Sequence, residues 1–239
     1  VQEAHGGITE ILDNNENFVK YNSLDNAKNN GISFVSGDRK KEGILPNLSI
    51  YENLVVPLYK KTSRGGFLGF VDWLELNGIF DWEVDRLSIK TGPRDNLIGS
   101  LSGGNQQKVM IARSFAQHPK VLILNDPARG IDVSTKRDLY THLRNYVEEG
   151  NTVVFLSSEL EEFIGLCPKV MVFRNGTVFD IFENEKVNAD TLLEGMFGQT
   201  AGIGETTISS KSNTPLMPTP NRKIDNKTPE KKILKAVSY

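Results

Sequence analysis

The stretch "LIGSLSGGNQQKVMIARSFAQHPKVLILNDPARGID" runs from Leu97 to Asp132. Ser102-Gly103-Gly104 stands at the head of a segment, Gly104 to Gln117, that reads as a helix. A helix start carries unpaired N–H groups and partial positive charge, and glycines leave it open to close approach, so it suits an anion. Alone, Ser-Gly-Gly fits equally well a serine N-cap followed by a tight turn. Val121–Leu124 then forms a run apolar on both faces, as a parallel strand covered on both sides should be. It stops at Asn125-Asp126, an amide and a short acid where phosphate chemistry usually finds two acids.

Outward from this stretch, short apolar runs alternate with amphipathic segments, the pattern of an α/β fold. Strands are expected at Ile8–Leu12, Phe18–Tyr21, Ile32–Val35, Val121–Leu124, Val153–Leu156, Val170–Phe173 and Thr177–Ile181. Asn175-Gly176 reads as the two-residue hairpin turn between the last two. Ser134 is expected to cap a helix with apolar positions Leu139, Leu143 and Val147 and Gly150 at its end. Ser23 and Asn30-Gly31 bracket a shorter helix. Between Pro46 and Pro119 the strand signal fades, and Asn53–Tyr59 and Trp73–Ile79 read as helical, interrupted by the glycine-rich loop Arg64–Gly69. Trp73 and Trp82 are read as packing or surface residues rather than base-stacking platforms.

The 239 residues suffice for one sizeable domain or two small ones. A net charge of −2 points neither to nor away from nucleic acid. Cys167 is the single cysteine, which excludes an internal disulfide or a thiolate metal cluster and fits a reducing compartment. No apolar run approaches the length of a bilayer span, so a soluble or peripheral, cytosolic protein is expected. After about Gly198 the composition becomes proline-rich and nearly free of aromatics, and residues 199–239 are expected to be a disordered tail. From Ser209 onward it carries seven basic residues against two acidic ones, which suits a solvated tail or a weak attraction to anionic lipid.

The continuation as LSGGNQQK, the Asn125-Asp126-Pro127 strand end, Arg129-Gly130-Ile131-Asp132 and Ser157-Ser158-Glu159 together resemble the ATP-binding cassette family of transporter ATPases. Leu101–Lys108 matches the signature motif, Val121–Asp126 the Walker B strand and Ala128–Asp132 the D-loop. Ser158 stands at the switch-histidine position. "FVSGDRKKEGILPNLSIYENL" resembles the Q-loop and the entry to the helical subdomain. The combination is similar to the second cassette of bacterial monosaccharide importers, over roughly Val1 to Gly198. The resemblance implies a P-loop NTPase-like cassette: a mostly parallel core sheet with flanking helices, an antiparallel extension and a helical subdomain. The implied parts are a core lobe at 1–46 and 119–198, a helical signature subdomain at 47–118 and the tail at 199–239.

The sequence departs from the family in telling places. It contains no G-x-x-x-x-G-K-[ST]; Gly6-Gly7 matches the pair beyond that loop, so Val1–His5 is expected to be the stub of the P-loop helix. Loss of the first central strand should leave the flank of Val121–Leu124 and Val153–Leu156 as an open edge and make the chain marginally stable. Asn125 replaces the Walker B aspartate that would hold Mg2+, Asp126 the catalytic glutamate, Gly37 the Q-loop side chain and Ser158 the switch histidine. Ser158 with Glu161 also spells a capping box. The resemblance assigns nucleotide contact to Leu101, Ser102, Gly103, Gly104, Asn105 and Gln106, D-loop roles to Gly130 and Asp132, and a catalytic role to Asp126 and Ser158.

The implied cofactors are ATP and Mg2+. The implied partners are a second cassette, an integral-membrane permease meeting the groove around Gly37–Tyr59 and, indirectly, a periplasmic sugar-binding protein, with no nucleic acid. The implied place is the cytoplasmic face of the inner membrane. The expected function is energising monosaccharide import by donating the signature to ATP held by the partner cassette, the chain's own half-site being degenerate and the isolated chain inactive. The alternatives are an ABC ATPase outside transport, acting on ribosomes or DNA, and a non-enzymatic remnant.

Overall fold

The computed structural model describes residues 10–12, 18–20, 23–59, 63–64, 70–174, 176–197 and 234–237. The expectations for Val1–His5, Gly6-Gly7, the loop residues 65–69 and Asn175 fall outside these residues. The chain runs β1 (Glu10–Leu12), β2 (Phe18–Lys20), α1 (Leu24–Asn29), β3 (Ile32–Val35), α2 (Ile50–Val55), β4 (Ser63–Arg64), β5 (Phe70–Val71) and α3 (Trp73–Arg86). It continues through α4 (Gly103–Phe115), β6 (Val121–Asn125), α5 (Val133–Glu148), β7 (Thr152–Leu156), β8 (Lys169–Arg174), β9 (Thr177–Glu183), α6 (Ala189–Phe197) and β10 (Leu234–Val237).

Six strands form the main sheet in the order β3-β6-β7-β10-β8-β9. All neighbours pair parallel except β8 and β9, an antiparallel hairpin. Gly176 takes φ +75 in its turn, where a Cβ would be strained, and Arg174 pairs with Thr177 across it. β1–β2 and β4–β5 are separate two-stranded antiparallel ladders. Leu122, Leu124, Val153, Phe155, Val170 and Val172 are buried, because alternate residues of three strands converge on one core layer.

β10 departs from the expected tail. Its four residues lie between β7 and β8 and pair with both, Lys235 standing in register with Phe155 and Val170. The flank of β7 is therefore paired rather than an open edge. Backbone N–H and C=O groups in a sheet interior require partners wherever they come from, and a strand distant in sequence satisfies them as well as a local one.

The helix ends show how polar side chains select boundaries. Ser23 caps α1, accepting from the Asn26 N–H at 3.1 Å. α2 begins earlier than expected, because Ser49 and Glu52 form a capping box, worth about 1 kcal/mol. Ser134 does not cap α5: Asp132 accepts from the Thr135 N–H at 3.0 Å, while the Ser134 hydroxyl donates to the same carboxylate. Of two competing polar residues, the carboxylate takes the cap and the hydroxyl supports it. The apolar face of α5 is as expected, with Leu139, Leu143 and Val147 buried. Residues 47–118 contain α2, α3 and α4, which pack on one another, and α4 also meets β3. Phe115 at the end of α4 stacks on Tyr146 of α5 with centroids 4.8 Å apart. Trp73 and Trp82 are exposed.

Candidate functional site

The expected residues gather at two places. The first is the start of α4. Ser102 is its N-cap, exposed, with its hydroxyl accepting from the Asn105 side-chain amide at 3.0 Å. Asn105 also accepts from the Lys90 N–H at 3.0 Å. The Gln106 amide donates to the Leu101 carbonyl at 3.0 Å, and Leu101 itself is buried in the core. The side chains of Leu101, Asn105 and Gln106 thus hold the turn's shape. Ser102, Gly103 and Gly104 present its open surface, where the first N–H groups of the helix have no acceptor within it.

Asp132 stands beside this turn. A Cβ placed on Gly104 would lie 3.8 Å from the Asp132 carboxylate and from Thr135. Bonds from the Ser134 hydroxyl, then from the Thr135 N–H and hydroxyl, hold the Asp132 carboxyl well below the usual carboxylate range. Gly130, two residues earlier, turns with φ +70. The D-loop residues and the signature therefore lie side by side.

The second place is the end of β6. Asp126 sits at φ +42, a left-handed conformation that aspartate tolerates better than most residues. Its N–H donates to the Leu156 carbonyl at 2.8 Å, and its carboxylate accepts from the Ser158 N–H at 3.2 Å. Gly37 approaches so closely that an added Cβ would lie 3.0 Å from the Asn125 carbonyl and 3.4 Å from the Asp126 Cβ. Gly37, Asn125, Asp126 and Ser158 are brought together, the grouping that the resemblance implied.

The short helix Leu160–Glu162 starts from Glu159, one residue later than the expected capping box of Ser158 and Glu161 would place it, and has no side-chain cap bond. The neighbouring pair does the equivalent work: the Ser157 hydroxyl donates to buried Glu162 and accepts from the Glu159 N–H. Lys136 pairs with Glu162 at 3.1 Å and Glu159 at 2.6 Å. The one-residue shift follows from burial, since Ser157 and Glu162 are inside and Ser158 and Glu161 are exposed.

Magnesium does not fit the end of β6 well. Asn125 offers an amide and Asp126 one short carboxylate already bonded to an N–H, whereas Mg2+ takes a strict octahedron of oxygens with carboxylate or phosphate charge. Among the described residues no group of three or more His, Cys, Asp or Glu could hold a metal. The turn at Ser102–Gly104 does fit a phosphate, with open N–H groups at the start of a 13-residue helix.

A cleft of about 400 Å³ is lined by Gly37, Asp38, Arg39, Lys40, Arg129 and Gly130. Arg39 also contacts the signature turn. Its guanidinium donates to the Gly103 carbonyl at 2.9 Å, from a position 64 residues away in sequence. Sequence reasoning assigned Arg39 no individual role; the only signal was its place in the DRK stretch after Gly37.

Residues 8–129 match the family model described as ABC transporter. The chain belongs to the ABC transporter family. It is 37% identical over 176 residues to the ribose import ATP-binding protein RbsA of a Bacillus cereus strain, covering 73% of this chain and 35% of that protein. It is 34% identical over 192 residues to RbsA of Roseobacter denitrificans, covering 80% of this chain and 36% of that protein. The chain thus spans about a third of the length of these relatives. The post-hydrolysis dimer of the ATP-binding cassette MJ0796 bound to ADP and Pi superposes with a TM-score of 0.59 at 23% identity, over 69% of this chain and 70% of that one. That likeness speaks for the cassette fold.

Proposed function

We propose that this cassette serves monosaccharide import by presenting Ser102, Gly103 and Gly104 to ATP held on a partner cassette. In this reading the 47–118 segment is the signature-bearing helical part and 1–46 with 119–198 the core lobe. The observation that carries it is the contrast between the two places. At α4 the polar side chains around the turn stabilise an open row of backbone donors. At β6 the one acid, Asp126, is held by the Ser158 N–H, beside a glycine and an amide.

Bound ATP would bring the reactive phosphate and its magnesium. Ser102 and the N–H groups of Gly103 and Gly104 would bind and orient phosphate oxygens, with charge stabilisation from the helix start. Asp126 would orient water poorly, because its carboxylate is one methylene shorter than the family's glutamate and already engaged. This half-site would turn over slowly or not at all. The relatives' names, ribose import ATP-binding protein, support a sugar as the cargo. A periplasmic sugar-binding protein would deliver it.

A permease on the cytoplasmic side of the membrane would meet the surface near α2 and α3. An open cleft of about 530 Å³ lies there, lined by residues including Tyr51, Glu52, Tyr59, Trp73 and Arg94. Among the described residues no helix is long and apolar enough to cross a membrane.

The test is ATP turnover by the purified chain alone and after mixing with a cassette that carries a P-loop. The chain alone should show negligible activity. The mixture should gain activity that a Ser102→Arg variant abolishes. Magnesium-dependent turnover by the chain alone, at the level of an intact transporter, would sink the reading.

A further inference from the structure

The turn at Ser102–Gly104 is held from outside its own helix. Arg39 lies in a one-turn π-helix, Arg39–Gly43, that follows β3. That segment is stiffly built. Asp38 caps it by accepting from the Lys41 N–H at 3.1 Å, the Ile44 N–H returns to the Arg39 carbonyl at 2.9 Å, and the Ser36 hydroxyl bonds the Glu42 carboxylate. From this base the Arg39 guanidinium lies over Gly103. A Cβ on Gly103 would lie 2.9 Å from one terminal nitrogen and 3.3 Å from the central carbon. Glycine at this position is what admits the guanidinium.

A second contact runs the other way. The Arg113 guanidinium, near the far end of α4, donates to the Gly43 carbonyl. Met110 of α4 packs against Gly43, where an added Cβ would meet its sulfur at 2.5 Å. The segment and α4 are thus clamped at two points by arginines reaching in opposite directions. The clamp begins two residues after Gly37, which touches Asn125 and Asp126.

We propose that Arg39 is a positioning residue for the signature turn: by fixing the Gly103 carbonyl it sets the direction in which the Gly104 N–H, in the same peptide plane, faces phosphate. The role rests on the signature-donor reading above. It also joins the two places physically, since a shift of the Gly37 segment carries Arg39 and the carbonyl with it. Lysine replaces this poorly, because a point charge lacks the planar fork that lies flat on a glycine.

The test has two arms on the full chain. In the first, hydrogen exchange at the Asn105–Gln107 amides is compared in wild type, Arg39→Gln, Arg39→Lys and Arg113→Gln. Arg39→Gln should speed exchange roughly tenfold, the scale of one lost charge-assisted bond, and Arg39→Lys by less. Arg113→Gln should lower the melting temperature and leave these amides unchanged. Gly103→Ala displaces the guanidinium with Arg39 intact and should reproduce the Arg39→Gln exchange, which keeps the test decisive if Arg39→Gln folds poorly. Unchanged exchange in both variants overturns the proposal.

In the second arm the chain is paired with a P-loop cassette and ATP. Arg39→Gln should lower kcat roughly tenfold, as expected for a lost positioning contact, with KM for ATP nearly unchanged and partial recovery in Arg39→Lys. Faster exchange with unchanged turnover would overturn the positioning role and leave the clamp as a structural contact, while loss of turnover in Ser102→Arg tests the signature-donor reading separately. Faster exchange with lowered kcat supports both.

Discussion

The start of α4 and the end of β6 are both touched by the segment 37–43 and are built differently. The first depends on backbone: a serine cap, two glycines and a helix to align the donors. The second depends on particular side chains, and at four positions those are now Gly37, Asn125, Asp126 and Ser158. Both are locally well formed, with the cap at Ser102 and the Asp126–Ser158 bond in place. A backbone site and a side-chain site can share one fold, and in the proposed reading only the first keeps the groups its chemistry requires.

The sharpest way to break this contrast is a pair of substitutions in the assembled transporter. Gly104→Asp should reduce ATP turnover by about 10²–10³-fold, the scale for spoiling a donor site that faces developing charge. It would also set a new carboxylate near the ionised Asp132. Gly104→Ala makes only ordinary contacts within this chain, 3.8 Å from Asp132 and Thr135, so it separates bulk from charge without disturbing the fold. In the proposed reading, where this half-site lacks a well-placed base, Asp126→Asn should cost less than about threefold. Equal losses in Gly104→Asp and Asp126→Asn would mean that the β6 end hydrolyses ATP, and the contrast would be gone.

The supports beneath the two places differ as well. On the α4 side, Glu83 is buried beside Arg86, whose guanidinium lies over Phe115 at 4.5 Å. Burial, partly offset by Arg86, pushes the Glu83 carboxyl from 4.5 up to about 7. The folded state therefore holds this proton more tightly than the unfolded one. The stabilisation is full below about pH 4.5 and disappears as pH rises through about 7. Stability should fall by at most about 3 kcal/mol across that window. Glu83→Gln should flatten the slope, which urea denaturation at pH 5 and pH 8 would reveal. A slope unchanged in the variant would assign the effect elsewhere.

On the β6 side the support is the Ser157–Glu162–Lys136 group. Ser157→Ala should cost about 1–2 kcal/mol by leaving buried Glu162 short of a donor. Ser158→Ala should cost less than about 0.5 kcal/mol, as an exposed surface change. Denaturant midpoints of the two variants read the difference directly. A larger loss at Ser158 would give its hydroxyl a structural role.

Strand positions were legible because short apolar runs report burial in a covered sheet, and Ser23 and Ser102 were legible because each immediately precedes its helix. Ser134 misled because Asp132, equally exposed, offers a carboxylate that takes the Thr135 N–H, and Ser158 misled because its neighbour Ser157 is the buried serine that bonds Glu162. The gathering of Gly37, Asn125, Asp126 and Ser158 followed from the resemblance. Arg39 was hidden by its 64-residue separation from Gly103. Leu234–Val237 was hidden because a short strand in a polar, proline-rich segment carries no periodicity of its own.

That strand also imposes an order on synthesis. Leu234 pairs with Val154 and Lys235 with Val170, so the centre of the sheet cannot close while the ribosome is still translating the preceding segment. Residues 152–174 must wait outside the exit tunnel with one lane vacant. At about 5–20 residues per second, the roughly 60 residues from Arg174 to Val237 represent a delay of about 3–12 seconds. During those seconds the facing flanks of β7 and β8 stay open to pairing with another strand.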